Sequence, residues 1–244
     1  MKLVTLLVFG SLMLFTPPNT SRDVLKLMHD RYAGKWFTTF TFNQTTQNYR
    51  NDSLIRTSTW YEAIKYPTNF RIDIGEPKNG NAVIFSKDSA YNFRNSKLVK
   101  VTTNSDDLTF LLGGMYFYSF DSVLTKLMTL GYHLDHFHLE KWNNSQVYVI
   151  GANDATEKLN QLWIDKDKLV IVKFIKFEDG HKQEGLLENH KRFGGGWSET
   201  SCTFYIDDKL FQKEIYHDCQ ANTGIDSRVF DPVYFGKVYW FKNN

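Results

Sequence analysis

From Phe37 onward the chain alternates apolar and polar positions with a period of two. Phe40 and Phe42 stand between Thr39, Thr41 and Asn43, the pattern of a half-buried strand. Further strand segments follow at 54–66, 70–74, 82–85, 91–93 and 98–103. Between them lie Pro67-Thr68-Asn69, Gly75 to Gly80, Lys87-Asp88 and Asn95-Ser96. All four are turn chemistry, and connections this short predict antiparallel neighbours in a meander. One helix interrupts the series. Asp121 is placed to cap a helix over 121–130, with Leu124, Leu127 and Met128 on one face and Gly131 as its stop. A second meander is predicted over 133–142, 146–150, 159–164, 169–177, 185–193, 197–206 and 211–219. Ahead of the strands, Ser21 is placed to cap a helix over 22–32, whose Val24, Leu27, Met28 and Tyr32 make one apolar stripe.

So many strands and so few helices limit the architecture. A sheet must bury its apolar face against something. With few helices to cover it, a curved sheet enclosing its own lining is the economical answer, often around an apolar ligand. The lining is expected from one-face strand residues: Phe40, Phe42, Trp60, Phe70, Ile72, Ile84, Tyr91 and Phe93. A period of two defines two faces without labelling which is concave.

The N-terminus reads as an export signal over 1–21: Lys2, an apolar run from Leu3 to Phe15, then Thr16-Pro17-Pro18. The run is shorter than the about 20 apolar residues that span a bilayer. Residues 22–244 are expected to form a single exported domain, since no linker or internal repeat divides them. Composition adds 20 Phe, 13 Tyr and 6 Trp, which suit pleated, half-buried surfaces. Without Lys2 the 29 basic residues become 28, against 27 acidic ones. That balance offers no general field for nucleic acid.

Candidate chemistry is sparse. G-x-S-x-G, H-E-x-x-H, C-x-x-C and Walker motifs are all missing, so neither an enzyme nor a cofactor is expected. Gly194-Gly195-Gly196 reads as a flexible turn or bulge. His133, His136 and His138 are the nearest approach to a metal cluster, with His136 and His138 on one strand face. A closed zinc site needs four ligands, so no metal is expected. Glu62 and Asp73 read as surface carboxylates or cross-strand partners of Arg56 or Arg71. Cys202 and Cys219 are a candidate disulfide in an exported chain. A tight turn after Ile206, however, sets Cys202 opposite Ile215, four residues or about 13 Å short of Cys219, where bridged Cα atoms lie within ~7 Å. A bond would need a bulge, a longer loop or a chain that curls back.

Several stretches together resemble the LolA/LolB-like superfamily of periplasmic lipoprotein carriers. They are Trp60-Tyr61-Glu62-Ala63, Pro67-Thr68-Asn69-Phe70-Arg71-Ile72-Asp73, Asp88-Ser89-Ala90-Tyr91-Asn92-Phe93 and Asp226-Ser227-Arg228-Val229-Phe230-Asp231-Pro232. The resemblance implies a mainly β fold: a large, unclosed antiparallel half-barrel with a few covering α-helices. It implies a concave face that holds a lipid or the acyl chains of a lipidated protein. It also implies a periplasmic location, a part in outer membrane lipoprotein sorting, and transient contact with a membrane surface or envelope transport proteins. The helix over 121–130 would be the cover. Its Leu124, Leu127 and Met128 face the sheet in this reading, and Gly113-Gly114 and Gly131 act as hinges of a movable lid. Two other readings stand beside it. Tyr32-Ala33-Gly34-Lys35-Trp36 is similar to the G-x-W entrance of a lipocalin, and a structural cell-envelope interaction module also fits a large β chain.

Overall fold

Thr20 opens the first helix, α1 (Ser21–Tyr32): its side chain accepts a hydrogen bond from the Asp23 amide at 3.1 Å. Asp23 in the first turn suits the positive end of the helix. Val24, Leu25, Met28 and Tyr32 are the buried stripe. The structure, a computed structural model, describes residues 17–103 and 107–241. Most of the expected export signal therefore lies outside the described residues.

The first meander comprises β1 (Thr39–Arg50), β2 (Ser53–Lys65), β3 (Asn69–Ile74), β4 (Ala82–Ser86), β5 (Ser89–Arg94) and β6 (Lys97–Thr103). Two helices follow, α2 (Asp107–Leu111) and α3 (Phe120–Thr129). The second meander runs β7 (Phe137–Trp142), β8 (Ser145–Ile150), β9 (Gln161–Asp165), β10 (Ile171–Glu178) and β11 (His181–Glu188). A small separate ribbon, β12 (Lys191–Phe193) and β13 (Gly196–Ser198), precedes β14 (Ser201–Ile206) and β15 (Lys209–Ala221). Turn chemistry sets the hairpins. Asn51-Asp52, Asn95-Ser96, Asn143-Asn144 and Asp207-Asp208 each carry two successive positive φ angles, as tight two-residue hairpin turns require.

Thirteen strands form one antiparallel sheet in the order β6-β5-β4-β3-β2-β1-β15-β14-β11-β10-β9-β8-β7. The two meanders meet where β1 pairs with β15, and among the described residues β6 and β7 are the edges. The sheet is thus unclosed, unlike the barrel of a lipocalin. Trp36 of the G-x-W stretch instead packs at the end of α1, stacked on Phe37 at 4.9 Å and tilted against Tyr116 at 4.7 Å.

Several boundaries differ from the sequence pattern for local reasons. The segment 185–193 breaks at Asn189, which has φ 55°, and the chain leaves the main sheet for the β12–β13 ribbon. The glycines of that ribbon serve close approach. A Cβ on Gly195 would lie 1.9 Å from the Lys35 carbonyl oxygen, and one on Gly196 would lie 2.6 Å from the Trp36 ring. β7 starts at Phe137, so His136 sits in the preceding turn and does not share a strand face with His138. The α3 cap is Ser119, whose side chain accepts from the Ser122 amide at 3.3 Å, in place of Asp121.

The C-terminal segment after β15 covers the convex face of the first meander. Arg71 is fully buried there. Its Nε and Nη2 donate to the two Asp73 oxygens at 2.8 and 2.9 Å, and its Nη1 donates to the carbonyls of Val229 and Val238 at 3.2 and 3.1 Å. The guanidinium also lies 5.1 Å from the Phe235 ring centre and 5.4 Å from that of Tyr239. Asp73 is therefore a buried partner of Arg71 on its own strand and not a surface carboxylate. Removing one member of a buried pair strands the other. Arg71→Ala should lose about 3–5 kcal/mol of stability and expose the C-terminal segment. Urea melts and limited proteolysis check both, and a cleavage rate equal to the parent's would refute the clasp.

Candidate functional site

Directly opposed residues of an antiparallel pair share a face, so the registers carry a lining from strand to strand. Phe42 stands opposite Glu62, and Glu62 opposite Ile72; Phe40 stands opposite Ile64, and Ile64 opposite Phe70. On the other flank Gln44 faces Tyr216, and Thr46 faces Glu214. Glu214 faces Cys202, and Cys202 faces Leu187. Leu108, Thr109 and Leu112, on and just after α2, close over this concave face. Between them lies a cavity of about 160 Å³. A wider cleft of about 720 Å³ adjoins it, sharing Phe70, Ile72, Leu108, Phe204 and Glu214, and reaching Leu130 and Tyr132. Gly185 belongs to this geometry, because a Cβ there would lie 2.2 Å from the Phe174 ring that walls the cleft.

The lining set expected from sequence divides. Phe40, Phe42, Trp60, Phe70 and Ile72 border the cavity. Ile84, Tyr91 and Phe93 lie on the opposite, convex face. The cause is a register parity: Ile72 pairs with Val83 and Arg71 with Ile84. Concave positions are therefore even-numbered on β3 and odd-numbered on β4. Phe85 takes the inward place, stacked on Phe70 at 5.7 Å, while Ile84 joins the face of Arg71. One strand on, Tyr91 pairs with Ile84 and Phe93 with Ala82. Phe93 then stacks on Phe235 of the C-terminal segment at 3.9 Å.

The lid assignment also changes. Leu124 and Leu127 of α3 are buried in the main core with α1, and Met128 is 56 % exposed. The helix that borders both the cavity and the cleft is α2. Five residues give α2 too little length to display a helical period, so the pattern did not reveal it.

Three carboxylic acids line the cavity, and all are largely buried: Glu62, Glu199 and Glu214. Burial pushes Glu199 up to about 7. Burial also raises Glu214, against the opposing effect of hydrogen bonds from Gln212 and Tyr216. The Tyr216 hydroxyl donates to Glu214 Oε2 at 3.2 Å and lies 3.2 Å from Cys202 Sγ. Its ring stacks on Phe42 at 4.2 Å. Burial raises both the Tyr216 phenol and the Cys202 thiol well above their usual ranges. Single acidic positions in a strand pattern look like surface residues, so neither Glu199 nor Glu214 was visible as part of a site.

Cys202 and Cys219 are free thiols, which corrects the candidate disulfide. The register shift between Phe204 and Tyr205 sets Cys202 opposite Glu214. Cys219 is then five residues further along β15 (219 − 214), about 17 Å at strand rise. His138 Nδ1 lies 2.9 Å from the Ala152 carbonyl oxygen, and His133 and His136 stack at 5.5 Å.

No family model and no curated protein sequence matches the chain. Solved structures match it in fold. A DUF1329 family protein from Desulfovibrio piger superposes with a TM-score of 0.61 at 12% identity, covering 88% of this chain and 97% of that one. A LolA superfamily protein from Nitrosomonas europaea gives 0.58 at 15%, covering 89% and 100%. A proposed outer membrane lipoprotein-sorting protein domain from Vibrio parahaemolyticus gives 0.55 at 12%, covering 88% and 97%. The fold is thus LolA-like: a mainly β, unclosed antiparallel half-barrel with a few covering helices.

The buried acids make stability depend on pH. Glu199 holds its proton more tightly folded than unfolded, where its ordinary value is 4.5. Its contribution is fully present below about 4.5 and is lost as pH rises through about 7. Glu199→Gln removes that group, so the parent should lose on the order of 3 kcal/mol relative to the variant between those limits. Thermal melts of both proteins across pH 4–8 test this, and parallel curves would refute it.

Proposed function

We propose that this protein is a carrier and not an enzyme, holding the acyl chains of a lipid or lipidated protein on the concave face of its half-barrel. The observation that carries this reading is the apolar space between the sheet and α2, where aromatic and aliphatic side chains wall a cavity that continues into the wider cleft. Few protein atoms fill it, and burial there rewards any apolar guest at about 25 cal/mol per Å². The proposed outer membrane lipoprotein-sorting domain named above has the same architecture, which supports the choice of cargo class.

In this reading residues 1–21 direct export and 22–244 work as one periplasmic domain. No described helix is long and apolar enough to cross a membrane. A carrier must meet a donor and an acceptor. We place that transient contact, with a membrane surface or an envelope transport protein, at the edge strand β6, where Leu98, Val99 and Val101 are exposed. Phe40, Phe42, Trp60, Phe70 and Ile72 are the proposed ligand contacts, and α2 is the proposed cover.

Mass spectrometry of organic extracts from the purified native protein should find co-purified lipid. Leu108→Asp, a change at the partly buried cover, should leave far-ultraviolet circular dichroism unaltered. It should weaken uptake of a fluorescent fatty acid about tenfold or more, since it sets a charge against an apolar guest. A folded variant that binds as tightly as the parent would remove α2 from the site, and empty extracts together with no uptake would remove the carrier.

A further inference from the structure

A second groove, of about 590 Å³, lies beyond the cavity on the concave face of the first meander. Strand pairing fixes its place. Trp60 and Ile72, which border the cavity, stand opposite Ile74 and Val83, which line the groove. The two spaces are therefore one strand apart, about 5 Å. Val83 stands opposite Asn92, and Asn92 opposite Lys100, so the same face continues to the sheet edge at β6. By the period of two, Arg56 shares the face of Trp60 on β2, and Arg94 that of Asn92 on β5.

Arg56, Arg94 and Lys100 are the charged residues of this lining, and none of the described residues that form it is acidic. Among the described residues their side chains have no ion pair or hydrogen bond. The whole chain is near balance, with 29 basic and 27 acidic residues, so three unpaired cations around one groove are a local concentration. Gathered like charges repel, and an anion between them relieves the repulsion. The end of the groove is held in place by its own backbone. The Asn95 amide donates to Asn81 Oδ1 at 3.1 Å, and the Ser96 amide donates to the Gly80 carbonyl at 2.9 Å. A Cβ on Gly80, which has φ 62°, would collide with Ser96 Oγ. Arg94 therefore precedes a pinned turn. Guanidinium forks match the oxygens of a phosphate, while Ile74 and Val83 give the floor an apolar character that continues towards the cavity.

We propose that this groove seats the phosphate of an anionic amphiphile, with Arg56, Arg94 and Lys100 around the head group and the alkyl chain passing over Ile74 and Val83 into the cavity. The phosphate supplies the charge and the acceptors that the three cations lack, and the chain supplies the apolar area that the cavity walls bury. A fatty alcohol has the chain without the charge. Inorganic phosphate has the charge without the chain. The cargo would thus be recognised at both ends, by charge in the groove and by apolar surface in the cavity.

The inference rests on the carrier reading, and one titration separates the two. Dodecyl phosphate and dodecanol would each displace a fluorescent apolar probe from the purified protein at low salt. The phosphate is expected to bind at least about tenfold more tightly than the alcohol, the scale of one charge-assisted hydrogen bond. A variant carrying Arg56→Gln, Arg94→Gln and Lys100→Gln, checked for folding by circular dichroism, should shrink that ratio to about threefold or less while leaving dodecanol unchanged. Inorganic phosphate at the same concentration as dodecyl phosphate should leave the ratio intact. If it abolishes the ratio, the groove serves free phosphate and the amphiphile is overturned. Equal binding of the two dodecyl ligands, or an undiminished ratio in the folded variant, overturns the phosphate site and leaves the carrier standing. Binding of neither overturns both. Should the triple variant not fold, each single substitution is expected to lower the ratio about twofold, the scale of one exposed ion pair, and three unchanged ratios overturn the proposal.

Discussion

An open sheet of thirteen strands has two large faces, and the described residues provide three α-helices and a C-terminal segment to cover them. That scarcity governs the rest of the molecule. Each cover is committed to one place: the C-terminal segment to the convex face of the first meander, α1 and α3 to the concave core, and α2 to the remaining opening. The space beneath α2 is what this allocation leaves incompletely filled. A solid core would have needed another helix or longer side chains at Leu108 and Leu112. The cavity is therefore a consequence of element supply as much as of the residues around it.

The buried polar residues show that the sheet is not merely an apolar shell. Gln44, Thr46 and Glu214 form a polar row at the junction of β1 and β15, and all three are buried. Burial of such groups opposes folding unless partners offset it. On the other side of the sheet, Arg71 is also fully buried, yet its donors meet carboxylate oxygens and carbonyls, and aromatic rings lie alongside it. The two sites use burial differently. The Arg71 site is internally complete and fixes a segment in place, whereas the row near Glu214 retains an acceptor with no protein donor.

Much of the architecture was legible because period two and short turns are local signals. The Asn-Asp, Asn-Ser, Asn-Asn and Asp-Asp pairs that close the hairpins are readable from residue type alone. What pairs with what at long range is not. The union of β1 with β15 depends on neither turn nor spacing. Face assignment failed at a definite place, the connection from β3 to β4, where the 3-10 turn Pro77–Asn79 lets the register change parity. From that point each inward guess became an outward one, which misplaced Ile84, Tyr91 and Phe93 together. The candidate site was half legible for a related reason. Aromatic residues on β1 to β3 announce a wall, but an isolated glutamate in a strand looks the same whether it faces solvent or a cavity.

The pairing of β1 with β15 bears on how the molecule comes into being. Phe40 lies opposite Ala221 at the centre of the sheet, so the first strand waits for the last before that junction forms. A chain emerging N-terminus first from a ribosome or a translocation pore cannot join its two meanders until β15 is released. Until then β1 is an unpaired edge flanked by apolar surface, the type of intermediate that aggregates. Long-range pairing of this kind also folds slowly.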